Sequence, residues 1–292
     1  EAQRAIIGRI GQVTAAALPM PPRISAVDAV ALLGARLLGF VGHLGGFVAL
    51  LGRLVLDLAH LLRHPRDWPL LEISANLFKV GAKAMPVSAL VGFLIGVVLS
   101  YLSALQLRTF GADAFIVNIL GMGIIRELGP VLVSVLVAGR SGSAMTAQLG
   151  VMRVTEEIDA LAAMGVSRSL RLVLPKVVAL TLAMPLLVLW TSAIALFGGW
   201  VSAWVELDIS LHFFLQALPD AVPVTNLYIG LAKGAVFGFL IALIACHFGL
   251  RVQPDTESLS THTTASVVAA ITVVILVDAV FAIATRSIGL PL

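Results

Sequence analysis

Five separate stretches of this chain, residues 84–106, 114–139, 173–203, 227–249 and 264–286, each approach or exceed the run of about 20 apolar residues that a bilayer crossing requires. Backbone polar groups in hydrocarbon must be satisfied within the segment itself, so each stretch is read as a helix. Composition agrees: hydrophobic residues are 59% of the chain, charged residues 12%, and the mean hydropathy is +1.04. Soluble domains run near 45–50% and about 25%. A soluble fold with a large core is therefore excluded, and an all-α polytopic membrane protein is expected. Pro185 inside the third stretch and Gly198-Gly199 near its end predict a break or tilt there. The net charge of +3 does not point to nucleic acid, because the basic residues flank the apolar stretches as membrane topology demands.

Ahead of the spans, residues 1–25 contain Pro19, Pro21 and Pro22 and read as a tail or linker, and the start at Glu1 leaves open a segment upstream. Residues 26–66 are apolar with a narrow polar face. Asp28, Arg36, His43, Arg53, Asp57, His60 and His64 fall on one arc of roughly 120°, with Arg63 off it. That pattern favours an amphipathic helix lying in the membrane interface over a spanning helix with its polar face turned inward. Residues 67–292 then form the transmembrane domain.

Lysine and arginine set the orientation. The 107–113 loop carries only Arg108, and the 204–226 loop carries Glu206, Asp208 and Asp220 with no lysine or arginine. Arg140, Arg153, Arg168, Arg171 and Lys176 lie between spans two and three, and Arg63, Arg66, Lys79 and Lys83 precede span one. The N-terminus and the 140–176 segment are thus expected on the cytoplasmic side and the C-terminus outside.

Between spans two and three a hydrophilic island concentrates Arg153, Glu156, Glu157, Asp159, Arg168 and Arg171. Thr155 is suited to cap a helix whose first turn holds Glu156 and Glu157, where a carboxylate offsets the positive end of the helix dipole. Ile158, Leu161 and Ala162 give an apolar stripe, and Gly165 stands where a left-handed C-terminal cap belongs. Residues 155–164 therefore read as a short amphipathic helix that a soluble partner can grip. A helix resting on lipid headgroups is the alternative, and three acids in five residues oppose it on an anionic leaflet.

Arg126 and Glu127 are adjacent inside span two, where ionisable residues are costly and face a cavity or a partner. They either line a polar patch that holds a headgroup or gate, or form a salt bridge that fixes packing. Helix neighbours diverge by about 100°, so each is expected to need its own partner. Pro130 weakens the helix just beyond. Lys233 and Asp278 are also in spans, and a pair between them is conceivable. Gly230, Gly234, Gly238 and Ala242 form one row of small residues, and Gly92 with Gly96 a second. Either row suits packing within the chain or a dimer seam. No G-x-x-x-x-G-K-[ST], HExxH, CxxC or G-x-S-x-G occurs, and the six histidines lack metal-ligand spacing. No catalytic or metal site is expected, and energy for active work must come from a partner or an ion gradient.

The runs R-E-L-G-P-V-L at 126–132, A-G-R-S-G-S-A at 138–144, L-G-V-M-R-V-T-E at 149–156, I-D-A-L at 158–161 and M-G-V at 164–166 resemble the MlaE/YrbE family of permease subunits. The resemblance spans roughly residues 27–286 and is weaker in span one and the 204–226 loop. In the loop expected between spans four and five, His262 stands where the family pattern has alanine and Ala265 where it has arginine. The resemblance implies an interfacial helix plus five spans, and a cytoplasmic coupling helix at Thr155, Glu156, Glu157, Asp159 and Leu161 docking on a separate ABC ATPase. It implies that ATP is used by that partner, with no cofactor bound by this chain. Further implied partners are a periplasmic MCE-domain protein, a small STAS-type accessory protein, phospholipid, and a second copy enclosing a lipid cavity near Tyr101, Leu105, Arg126 and Glu127. The implied setting is a bacterial inner membrane. An ion-coupled secondary transporter and a non-transporting scaffold are the competing classes.

Overall fold

The structure is a computed structural model, which describes residues 26–112 and 115–289. The 1–25 tail lies outside the described residues. Every described regular element is a helix. In chain order these are α1 (Ala26–Arg63), α2 (Leu70–Phe110, interrupted by a 3-10 turn at Ala82–Ala84), α3 (Ile116–Val154), α4 (Glu157–Ala163), α5 (Ser169–Leu207), α6 (Leu211–Ala221), α7 (Val224–Gly249) and α8 (Thr256–Ala284). The chain divides within α1 into two compact units, Glu1–Gly46 and Phe47–Leu292. The described part of the first is helix alone, and the second holds the rest of α1 and every later helix.

Among the described residues six helices are long and apolar enough to cross a membrane, one more than the five expected spans. The sixth is the Leu37–Arg63 part of α1. On α1, Leu50, Leu54 and Leu61 are buried in the bundle core, whereas Val55, Leu56 and Leu62 are exposed. The helix therefore packs along one narrow stripe. Of the polar arc, His60 stacks on His64 with ring centroids 4.6 Å apart, and its Nε2 lies 3.5 Å from Asp67. Asp28 and Arg36 carry side chains outside those described.

The centre of the bundle is α5, packed along α2 on one side and α7 on the other. Its buried Leu180, Met184 and Leu187 meet Phe237 and Ile241 of α7 in one apolar cluster. A second cluster joins Ile116, Leu120 and Ile124 of α3 to Phe214 and Val222. The 204–226 segment, expected to be a loop, thus contributes a helix, α6. The Ser210 hydroxyl accepts from the Phe213 N–H at 3.3 Å to cap it, and buried Phe214 anchors it.

The expected break in the third span does not occur: α5 runs as one helix through Pro185 and Gly198-Gly199. A Cβ placed on Gly234 would sit 3.5 Å from the Pro185 Cα, so α7 closes tightly over that point, and the glycine pair admits α2. Both small-residue rows serve packing inside the chain. A Cβ on Gly96 would lie 1.9 Å from the Ala195 carbonyl, and one on Gly230 2.4 Å from the Ile125 carbonyl. Gly52, by contrast, has nothing within 4 Å. Gly96→Ala should therefore destabilise the bundle by about 1–3 kcal/mol, read as a lower midpoint of thermal unfolding in detergent. Gly52→Ala should hold or raise that midpoint, since alanine is the better helix former.

Candidate functional site

Two polar elements sit far apart along α3. The first is inside the apolar bundle. Arg126 is 7% exposed. Its Nη1 donates to Asn226 Oδ1 at 2.9 Å and to the Ile288 carbonyl at 2.8 Å. Its Nη2 donates to the Thr285 carbonyl at 2.6 Å and the Thr285 hydroxyl at 3.2 Å. Its Nε lies 3.4 Å from Glu127 Oε1. Both Nη groups of the guanidinium thereby find acceptors within this chain, and Nε adds an ion contact. Asn226 in turn donates to the Gly289 carbonyl at 2.7 Å. Arg126 is a clamp on the carbonyls that end α8, where a cation also offsets the helix dipole. Within this chain it therefore ties α3 to the end of α8, the packing role that the sequence left open beside a headgroup contact.

Glu127 reaches the other way. Its Oε2 accepts from Lys233 Nζ at 2.5 Å, and Lys233 lies 3.0 Å from Asp278 Oδ1. The Lys233 side chain is fully buried, while Glu127 is 38% exposed and Asp278 21%. Arg126 and Glu127 do touch, contrary to the divergence expected of helix neighbours, yet their remaining partners lie on different sides. A lysine without solvent is tolerable only when paired, and here two carboxylates face it. The pair between Lys233 and Asp278 that the sequence left open is present, as one arm of a four-charge chain from α3 through α7 to α8.

The backbone explains why Glu127 can point inward. Residues Gly123–Leu128 form a π turn, in which the Gly129 N–H reaches back to the Ile124 carbonyl. Pro130 follows without an N–H to offer, and the Ile125 carbonyl faces bare Gly230. A second π turn occupies Ala138–Gly142 farther along α3.

The second polar element is the hairpin after α3. Thr155 does not cap α4 as expected. Its hydroxyl donates to the Val151 carbonyl at 3.0 Å, one turn back, and to Glu157 Oε1 at 3.0 Å. The residue at the head of α4 is Glu156, held at φ 61°. The left-handed backbone separates α4 from α3 at a single residue, and the sequence offered no glycine to signal it. Gly165 does close the helix as expected, at φ 74°, with the Val166 N–H on Leu161 O at 3.0 Å and the Gly165 N–H on Ala162 O at 3.0 Å. Ile158 is buried, Leu161 half-buried and Ala162 exposed, so the apolar stripe is narrower than expected. Asp159 is held by Arg153 at 2.7 and 2.9 Å and lies 3.9 Å from Arg168. Arg171 pairs with Glu72 of α2. Much of the island's charge is thus tied internally, and Glu156, Glu157 and Met164 remain exposed.

Tyr101 and Leu105 lie on α2, 45% and 46% exposed. An apolar cleft of about 390 Å³, lined by Leu77, Phe78, Met85, Leu187 and Trp190 among others, contains neither of them. The 260–268 segment, read as a loop, is the first part of α8, capped by Asp255, which accepts from the Ser258 N–H at 2.5 Å. There Ser266 meets Thr146 at 2.8 Å, and Thr146 donates to the Ala245 carbonyl at 3.1 Å, so a buried hydroxyl knot joins α3, α7 and α8.

Comparison with known proteins decides the class. Residues 73–284 match the model of the family described as Permease MlaE. The chain belongs to that family. A relative named as a probable ABC transporter permease protein of Rickettsia bellii is 35% identical over 67% of this chain and 76% of its own length. The intermembrane phospholipid transport system permease protein MlaE of Haemophilus influenzae is 28% identical over 86% of this chain and 95% of its own. A chloroplast relative, TRIGALACTOSYLDIACYLGLYCEROL 1 of Arabidopsis thaliana, is 28% identical over 70% of this chain and 58% of its own. This family member is a multi-pass membrane protein, with six helices apolar enough to cross a bilayer among the described residues.

The charge chain sets a testable cost. Lys233→Met leaves Glu127 and Asp278 without their shared cation and should destabilise the fold by about 3–5 kcal/mol. Adding Asp278→Asn to the same variant, which leaves Arg126 and Glu127 as a neutral pair, should recover most of the lost thermal midpoint.

Proposed function

We propose that this chain is the permease subunit of an ABC-type phospholipid transport system in a bacterial inner membrane, with its N-terminus cytoplasmic and α1 associated with the interface. It works as a homodimer beside a separate ATPase that uses the ATP, a periplasmic MCE-domain protein and a small STAS-type accessory protein. The names of the Rickettsia and Haemophilus relatives support this reading. The observation that carries it is mechanical. Helix α3 is a single rod from the intramembrane Arg126–Glu127 pair to the exposed Glu156–Glu157 hairpin. Two π turns in that rod are places where its register can change. Thr155, Glu156, Glu157, Asp159 and Leu161 form the coupling contact. Glu127 is the charged group at the lipid cavity, with Tyr101 and Leu105 on its apolar wall.

Glu157→Lys reverses an exposed charge and leaves the Arg153–Asp159 pair untouched. It should abolish co-purification of the ATPase while membrane insertion stays normal. Normal recovery of the ATPase with this variant overturns the coupling assignment. A second reading draws on a specific observation: Glu127, Lys233 and Asp278 converge at depth, as an ion-coupled carrier needs. Lipid movement by the purified chain alone under a proton or sodium gradient would favour that reading.

A further inference from the structure

A polar groove of about 610 Å³ opens between α1 and the start of α5, and no residue of the Lys233 cluster lines it. Arg53, Leu56 and Asp57 form one wall, and Gly165, Val166, Ser167, Arg168 and Ser169 the other. It lies on the face of the bundle that carries the arginine-rich island.

One half of the groove suits an anion. Arg53 is exposed, and among the described residues no ion pair holds it. Arg168 contributes a second guanidinium, whose other neighbour is Asp159 at 3.9 Å. The groove also meets the first turn of a 39-residue helical segment, α5, where the Ser167 hydroxyl already accepts from the Leu170 N–H at 3.3 Å. Ser169 is the second, independent observation. It is 7% exposed, it lines the groove, and its hydroxyl has no hydrogen-bond partner. A buried hydroxyl in that state is missing a partner.

The other half suits a cation. Asp57 Oδ2 is buried and also without a partner. A simple phosphate would be repelled by it. An occupant with both a phosphate and a donor-bearing cation satisfies every group at once. A quaternary ammonium has no N–H to give Asp57, whereas a primary ammonium has three donors. The apolar side fits the same occupant. Leu54 and Leu58, on the neighbouring face of α1, line a second cleft of about 200 Å³ with Leu174, Val178, Leu182 and Phe239, built from apolar side chains and Thr181. Both clefts thus run along α1 and α5, the apolar one closed by Phe239 of α7, as a headgroup and its acyl chains require.

We infer that the groove between α1 and the α4–α5 turn binds a phospholipid headgroup carrying a phosphate and a primary amine, the phosphoethanolamine type. Arg53, Arg168 and Ser169 take the phosphate, and Asp57 takes the ammonium. The site is separate from the proposed transport cavity, and its test reads binding to the chain alone, so failure of the transport reading leaves it standing.

The test is native mass spectrometry of the delipidated full chain, titrated with phosphatidylethanolamine, phosphatidylcholine or phosphatidylglycerol. Phosphatidylethanolamine should be retained best. Arg53→Gln should weaken its retention about tenfold, the scale of one charge-assisted contact. Asp57→Asn should abolish the preference over phosphatidylcholine while phosphatidylcholine still binds. Both variants should keep the parent's thermal midpoint, because neither side chain has a hydrogen bond to lose. Equal retention of the three lipids, or retention unaffected by both substitutions, overturns the inference. Free phosphoethanolamine binding as tightly as the lipid would assign the groove to a soluble phosphoester and overturn the lipid assignment. If Arg53→Gln releases the ATPase from the complex and leaves lipid retention unchanged, the groove is a protein contact and the inference fails.

Discussion

A lysine with no access to solvent in the middle of an apolar bundle must be neutralised where it stands, and much of this fold follows from that demand at Lys233. Two acids meet it, one from α3 and one from α8. Their own placement is constrained in turn. Glu127 reaches Lys233 from a π turn, and the neighbouring Arg126 holds the end of α8 that follows Asp278. The four charges sum to zero, so the bundle carries them without net charge in hydrocarbon. Removing any one leaves an uncompensated ion, which is why such networks specify a single arrangement of helices more than they add raw stability.

Close backbone contact supplies the rest. Gly96 and Gly230 let α2 and α7 approach the carbonyls of Ala195 and Ile125, distances at which no Cβ fits. A rigid packed bundle transmits displacement instead of absorbing it. The two π turns of α3 interrupt that rigidity at Gly123–Leu128 and Ala138–Gly142. In the proposed coupling, α3 is the element that would carry motion from the Glu156–Glu157 hairpin toward Glu127. The hairpin is itself braced on α3 by Asp159 on Arg153, and Arg171 at the start of α5 pairs with Glu72 of α2.

Sequence reasoning read the helices well because their apolar length is a one-dimensional property. It placed all five expected spans and the Gly165 cap. It underestimated lengths where polar residues continue a helix past its apolar core, as at Thr256–Ser266 of α8 and Ser143–Val154 of α3. It missed α6, an amphipathic helix short enough to read as loop. The role of Arg126 was the least legible, because its partners Asn226, Thr285 and Ile288 lie at least 100 residues away. The Thr155 expectation failed because a hydroxyl that can cap the next helix can equally bond back into the previous one. Glu156 then took a left-handed backbone that periodicity does not register.

The central claim is that the intramembrane cluster and the exposed hairpin are two ends of one coupled element. It is tested most directly by ATP hydrolysis in the reconstituted complex carrying Glu127→Gln, measured with and without added phospholipid. That substitution leaves the hairpin intact, so the ATPase should assemble normally and hydrolyse ATP, but the rate should no longer respond to lipid. A lipid response equal to that of the unaltered complex would contradict the account.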